Sequence, residues 1–206
     1  MAALCFPIAL GFAVYGAVRL TESAIGPPPL EVAEKLSVTV LDRNGDLLRA
    51  FTTPEGRWRL PVDVKDVDPR YISMLLAYED RRYYEHGGID LFAVLRASYQ
   101  FIRHGRIVSG ASTITMQVAR NLFLWPGGGF VRKAIEAPLA LALDALWPKR
   151  RIMEVYLNIA EMGDGLFGAE AAARAHFKKP AARLSTAEAV RLAAVLPSPV
   201  RWSAAR

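Results

Sequence analysis

A single cysteine, Cys5, among 206 residues rules out a disulfide framework and any cysteine-based metal site. It sits inside an apolar run and carries no information on redox compartment. No internal repeat or low-complexity tract is present. A content of 52% hydrophobic, 22% charged and 10% aromatic residues excludes wholesale disorder. The length suits one ordinary domain plus an anchor. Acids are scarce in the middle of the chain: Gln100 to Arg151 holds eight Lys or Arg against Glu136 and Asp144. With a net charge of +6 and a pI near 9.7, this predicts an anionic partner, whether nucleic acid, lipid headgroups or a phosphorylated substrate. A solvated basic face is the plain alternative. Nucleic acid fits only the charge, because no recognisable module is present and the N-terminus is apolar.

Ala2 to Val18 is nearly unbroken apolar sequence ending at Arg19. At ~1.5 Å per residue it reaches roughly 25 Å, just short of a ~30 Å hydrocarbon core. The run reads first as a retained membrane anchor over 1–20; a cleaved signal peptide and a buried helix are the alternatives. Gly26-Pro-Pro-Pro29 cannot continue a helix, which makes 21–35 a linker. In Ser37 to Phe51, Asn44-Gly45 between two alternating runs predicts a β-hairpin with a two-residue turn. From Pro69 onward the spacing is helical, interrupted mainly at 105–110 and 125–129. Ser185-Thr-Ala-Glu188 is a capping box for a helix expected to run to Leu196, before Pro197. The fold expected from the residues is therefore an anchor, a small hairpin and one all-α domain over 36–206.

Four blocks carry candidate chemistry. In Arg70 to Asp80 a helical count puts Ile72, Leu75, Leu76 and Glu79 on one face and turns Asp80 about 100° away. Desolvation on the apolar side would raise the Glu79 pKa toward that of a useful base, while an ion pair with Arg81 or Arg82 is the structural reading. Directly after it come Tyr83, His86 and the pair Gly87-Gly88. Ser109 to Asn121 places Gly110, Ser112 and Thr113 before a helix bearing Gln117, Arg120 and Asn121 on its first turns. That suits phosphate or sugar oxygens, or simply caps the helix. The third and fourth blocks are Arg132-Lys133-Ala-Ile-Glu136 and Lys149 to Asn158, the latter including Glu154.

These blocks, in this order and joined by His176-Phe-Lys-Lys-Pro180, closely resemble the five motifs of the glycosyltransferase family 51 domain of peptidoglycan synthases. The resemblance runs from about Leu36 to the C-terminus. Residues up to about Arg120 look like the one-C type of class A penicillin-binding protein. From Asn121 the chain looks like a monofunctional biosynthetic transglycosylase. No Ser-x-x-Lys, Ser-x-Asn or Lys-Thr-Gly set is present, so transpeptidation is not expected of this chain.

The resemblance implies a mainly α, lysozyme-like head with a small membrane-proximal lobe. It implies lipid II and the growing glycan strand as substrates, and a place on the outer face of the bacterial inner membrane. Membrane lipid and other cell-wall synthases, of the divisome or elongation machinery, would be its partners. Glu79 would take the proton of the acceptor's 4-hydroxyl, and Glu136 would act near the diphosphate, through a divalent Mg or Mn ion. Arg120, Arg132 and Lys133 would hold the phosphates, and Gly110, Ser112, Thr113, Gln117 and Asn121 would shape the donor site. Asp80, Tyr83 and His86 would line the substrate site, with Glu154 ordering its hydrogen bonds. A lysozyme-like hydrolase or lytic transglycosylase and a non-catalytic scaffold are the rival functions. Two departures stand out. Lys178 occupies a position the family usually gives to Gly, which predicts strain if φ there is positive. Pro138, two residues after Glu136, removes a helix hydrogen bond and predicts a kink.

Overall fold

The computed structural model describes residues 35–44, 47–125, 127 and 129–205. The expected anchor and, Lys35 apart, the expected linker lie outside the described residues. No helix among the described residues is long and apolar enough to cross a membrane. The chain divides into two compact units: a central one, 82–152, and a terminal one built from 35–81 and 153–205. Seven α-helices and two small sheets are present among the described residues, so the domain is mainly helical.

In the terminal unit, β1 (Thr39–Leu41) pairs antiparallel with β2 (Leu47–Ala50), in the register Thr39↔Ala50, Val40↔Arg49 and Leu41↔Leu47. The hairpin is where the sequence puts it, and Gly45 of the expected two-residue turn lies outside the described residues. Leading into the turn, the Asp42 carboxylate accepts the Asn44 N–H at 2.8 Å. A second sheet was not anticipated. β3 (Trp58–Arg59) runs parallel to β5 (Leu166–Phe167), which pairs antiparallel with β4 (Glu161–Gly163). The all-helical expectation after Pro69 is corrected at β4 and β5, which are too short to show a period of two.

Helix α1 (Pro69–Glu79) begins as its sequence dictates: the Asp68 side chain accepts the Arg70 N–H, and Pro69 occupies the first turn, where no amide hydrogen is needed. Its buried Tyr71 and Leu75 face the core, and it packs against α7 (Thr186–Ala194). The capping box at α7 forms as expected. The Ser185 N–H and hydroxyl donate to Glu188, Lys179 adds its ammonium, and together they hold the Glu188 carboxyl down at about 2. The helix ends at Ala194, two residues before the expected Leu196.

α6 (Ala169–Phe177) buries Ala169, Ala171, Ala172 and Ala173, whose small side chains allow close approach. It ends at Lys178, the one non-glycine residue at positive φ among the described residues, at φ 59 and ψ 30. The position therefore does demand the left-handed region, and the Lys178 ammonium compensates in part by donating to the Ala175 carbonyl at 3.0 Å. Lys178→Gly should accordingly raise stability by about 0.5–1 kcal/mol, read as a thermal midpoint higher by ~2–4 °C.

The central unit contains α2 (Leu91–His104), α3 (Ile114–Phe123), α4 (Gly129–Leu146) and the start of α5 (Lys149–Ile159), which continues into the terminal unit. α3 and α4 pack together. Helix α4 runs through Pro138 without a break in its assignment, so the proline removes one donor and leaves the element intact. α2 is inverted relative to an ordinary surface helix. Ala93 is its one buried residue, while Leu91, Leu95 and Ile102, on the opposite face, are 68, 67 and 82% exposed.

Candidate active site

Glu79 is the last residue of α1 and is half-buried. Two turns earlier on the same helix, Tyr71 is fully buried, its hydroxyl on the Met162 sulfur at 3.2 Å. Burial first, and the negative charge of Glu79 second, push the Tyr71 phenol far up, so it stays neutral and cannot exchange protons near neutrality. Asp80 leaves the helix at φ −159 and ψ 74 and is only 6% exposed. The 100° step of the helical count holds only while the helix continues, and α1 ends at Glu79, so the count does not fix where Asp80 lies.

Glu154, on α5, is half-buried, and its backbone carbonyl accepts from the Asn158 side chain at 2.7 Å. Asn158 also clamps Val62 in both directions, accepting its N–H at 2.9 Å and donating to its carbonyl at 2.8 Å.

The cationic equipment lies in the central unit. Thr113 caps α3, accepting the Met116 N–H, and donates its hydroxyl to the Gly88 carbonyl at 2.6 Å. Along α3, Ile114, Thr115, Met116, Val118, Ala119 and Leu122 are buried. The half-buried polar residues Gln117, Arg120 and Asn121, spaced i, i+3 and i+4, form a single stripe. Ser112, just before the helix, receives the Lys133 ammonium from α4 at 3.1 Å, and Gly110 beside it is exposed. One residue before Lys133, Arg132 places Nε 3.0 Å from Oε1 of Glu136, with side chains 20% and 3% exposed. The structure thus brings together Ser112 with Lys133 and Arg132 with Glu136.

Tyr83 and Thr113, expected at the substrate, have their hydroxyls committed inside the protein. Tyr83 is 1% exposed and donates to the Lys149 carbonyl at 2.7 Å, with the Lys149 ammonium over its ring and paired to Asp144. His86 is half-buried, edge-on to Tyr83 at 6.5 Å. For a divalent cation, no group of three or more His, Cys, Asp or Glu capable of holding a metal ion occurs among the described residues. Glu136 already meets a guanidinium, so a protein-held divalent ion does not fit there.

The sequence reading missed Asn158 as a clamp and Gly88 as a point of backbone contact. An Asn two residues after a buried helix face and a Gly-Gly pair beside a cap were the signals available.

The terminal unit thus carries a half-buried carboxylate at a helix end, and the central unit carries the cations and the buried carboxylate of Glu136. Residues 44–206 match the family described as transglycosylase, and the chain belongs to that family. It is similar to the biosynthetic peptidoglycan transglycosylase of Rhodospirillum centenum, with 53% identity over 194 residues, 91% of this chain and 82% of that relative. It is 49% identical over 143 residues to the protein of the same description from Salmonella typhimurium, and 48% to that from Salmonella arizonae. Those matches cover 69% of this chain, which spans 59% of the length of the Salmonella relatives. The match to the first of these relatives spans both halves of the sequence.

Proposed function

We propose that this peptidoglycan glycosyltransferase polymerises lipid II with Glu79 as its general base. The acceptor's GlcNAc 4-hydroxyl gives its proton to the Glu79 carboxylate as its oxygen bonds to the anomeric carbon of the growing chain's MurNAc. The bond from that carbon to the diphosphate oxygen breaks, polyprenyl diphosphate leaves, and inversion produces a β-1,4 link. The observation that carries this reading is Glu79 itself: half-buried at the end of α1, with its charge felt by the buried Tyr71 phenol of the same helix.

The donor's diphosphate falls to Arg120, Arg132 and Lys133, with Ser112, Gln117 and Asn121 meeting its oxygens and sugars and Gly110 leaving room for them. Asp80, His86 and Glu154 order the surroundings of the sugars. Tyr83 and Thr113 hold their segments rather than touching substrate. The head is lysozyme-like over 36–206, with residues 1–20 as its anchor and 21–35 as linker, on the outer face of the bacterial inner membrane beside other cell-wall synthases.

The inverted helix α2 is the contact with lipid. Leu91, Leu95 and Ile102 insert among acyl chains while Arg96 and Arg103, on the flank of that face, meet phosphate headgroups. Ile102→Asp should lower turnover of vesicle-embedded lipid II several-fold while leaving the melting temperature nearly unchanged, because the side chain is so exposed. The function itself is tested by incubating the purified full chain with labelled lipid II and resolving glycan strands on a gel. Polymer is expected. Shortening of supplied glycan without polymer would transfer the protein to the hydrolases, and neither activity would leave a scaffold.

A further inference from the structure

Glu136 is 3% exposed, and a carboxylate that buried is costly unless it is paired. The partner is Arg132, one turn earlier on α4, with Nε 3.0 Å from Oε1. Neither of these two atoms has a hydrogen-bond partner among the described residues, so the contact is a charge pair rather than a directed hydrogen bond. Arg132 is restrained on a second side, where Nη1 donates to the Trp125 carbonyl at 3.4 Å. A guanidinium carries five donors in a rigid fork, and the two contacts fix its plane from the Nε edge and from one corner. Next along the helix, Lys133 is placed by Ser112. Two successive cations of α4 are thus held by anchors on this same unit.

We propose that Glu136 is a positioning residue that fixes the Arg132 fork for the departing diphosphate, and is neither an acid, a base nor a metal ligand. The inference rests on the reading of the chain as a transferase that releases a diphosphate. Without the Glu136 charge the fork keeps only its Trp125 contact and can pivot about it, so its donors no longer converge on the phosphate oxygens. A loss of this kind appears in diphosphate binding and in turnover together, and it is already included in the loss of Arg132.

The experiment uses the full chain in detergent, inorganic pyrophosphate as probe by calorimetry and by inhibition, and lipid II turnover across pH. Glu136→Gln should weaken pyrophosphate binding by about tenfold, as expected for a lost charge-assisted contact. Arg132→Gln should weaken it at least as much, and the double variant should bind no more weakly than Arg132→Gln alone. Both limbs of the pH–rate profile should persist in Glu136→Gln, and excess Mg or Mn should not rescue it. Unchanged pyrophosphate binding with reduced turnover, a lost pH limb, metal rescue or additive losses would each overturn the proposal. Should Glu136→Gln fail to fold, Glu136→Asp, which keeps the charge at shorter reach, carries the test: weakened binding that is masked in the Arg132→Gln background supports positioning, and wild-type binding refutes it. A wild-type chain that neither polymerises lipid II nor binds pyrophosphate would instead overturn the functional reading beneath it.

Discussion

Glu79→Gln should reduce glycan polymerisation by about 10³-fold or more, below the detection of a gel assay with labelled lipid II. Glutamine matches the shape of glutamate and keeps an acceptor oxygen, but it cannot take the proton of a hydroxyl. The deficit then reads the loss of a base and not of packing. The buried Tyr71 phenol on the same helix does not stand in, since its burial persists in the variant and by itself disfavours the charged form. The fold should survive, because Glu79 is only half-buried at the final position of its helix and the change removes the charge that bears on buried Tyr71. A melting curve within a few degrees of wild type, beside an absent polymer band, is the expected pair of results. Wild-type polymer from Glu79→Gln would remove this residue from its role.

How Glu79 comes to be placed there was largely legible in the sequence. Asp68 and Pro69 start α1, the apolar spacing faces Leu75 inward, and Glu79 closes the helix. The Ser185 capping box was legible for the same reason, since it depends on a few neighbouring residues, whereas the left-handed demand at Lys178 was suggested only by the resemblance, which puts glycine there. What stayed hidden is set by distant partners. β3 and β5 are two residues each, and they pair across about a hundred positions of chain. Asn158 clamps a backbone 96 residues away. The i, i+4 spacing of Arg132 and Glu136 was visible, but not the burial that makes the pair stiff. The burial of Asp80 was not legible either, because the helical count does not reach past Glu79, where the helix ends.

Gly88→Ala should be the most damaging of the small substitutions, costing about 3 kcal/mol or more of stability. Two costs add. The residue sits at φ +87, where a side chain is strained, and an ideal Cβ would lie 2.6 Å from the Ala140 carbonyl oxygen and 2.9 Å from its carbon. Both atoms are backbone of α4, two residues beyond Pro138, and backbone cannot swing aside as a flexible side chain does. The only relief is to move the 87–90 loop off the helix, which also strains the bond from the Thr113 hydroxyl to the Gly88 carbonyl. That bond seats the start of α3, next to Ser112 and the polar stripe of Gln117, Arg120 and Asn121. The loss should therefore appear twice, as a melting temperature lower by roughly 6–12 °C and as weaker lipid II turnover at temperatures where the protein is still folded. Gly105→Ala is the matched control. Its φ of +64 is also positive, but nothing lies within 4 Å of the added carbon, so it should cost only the conformational part, about 1 kcal/mol. Equal melting temperatures for the two variants would show that the close approach of Gly88 to Ala140 does not hold the first motif against α4.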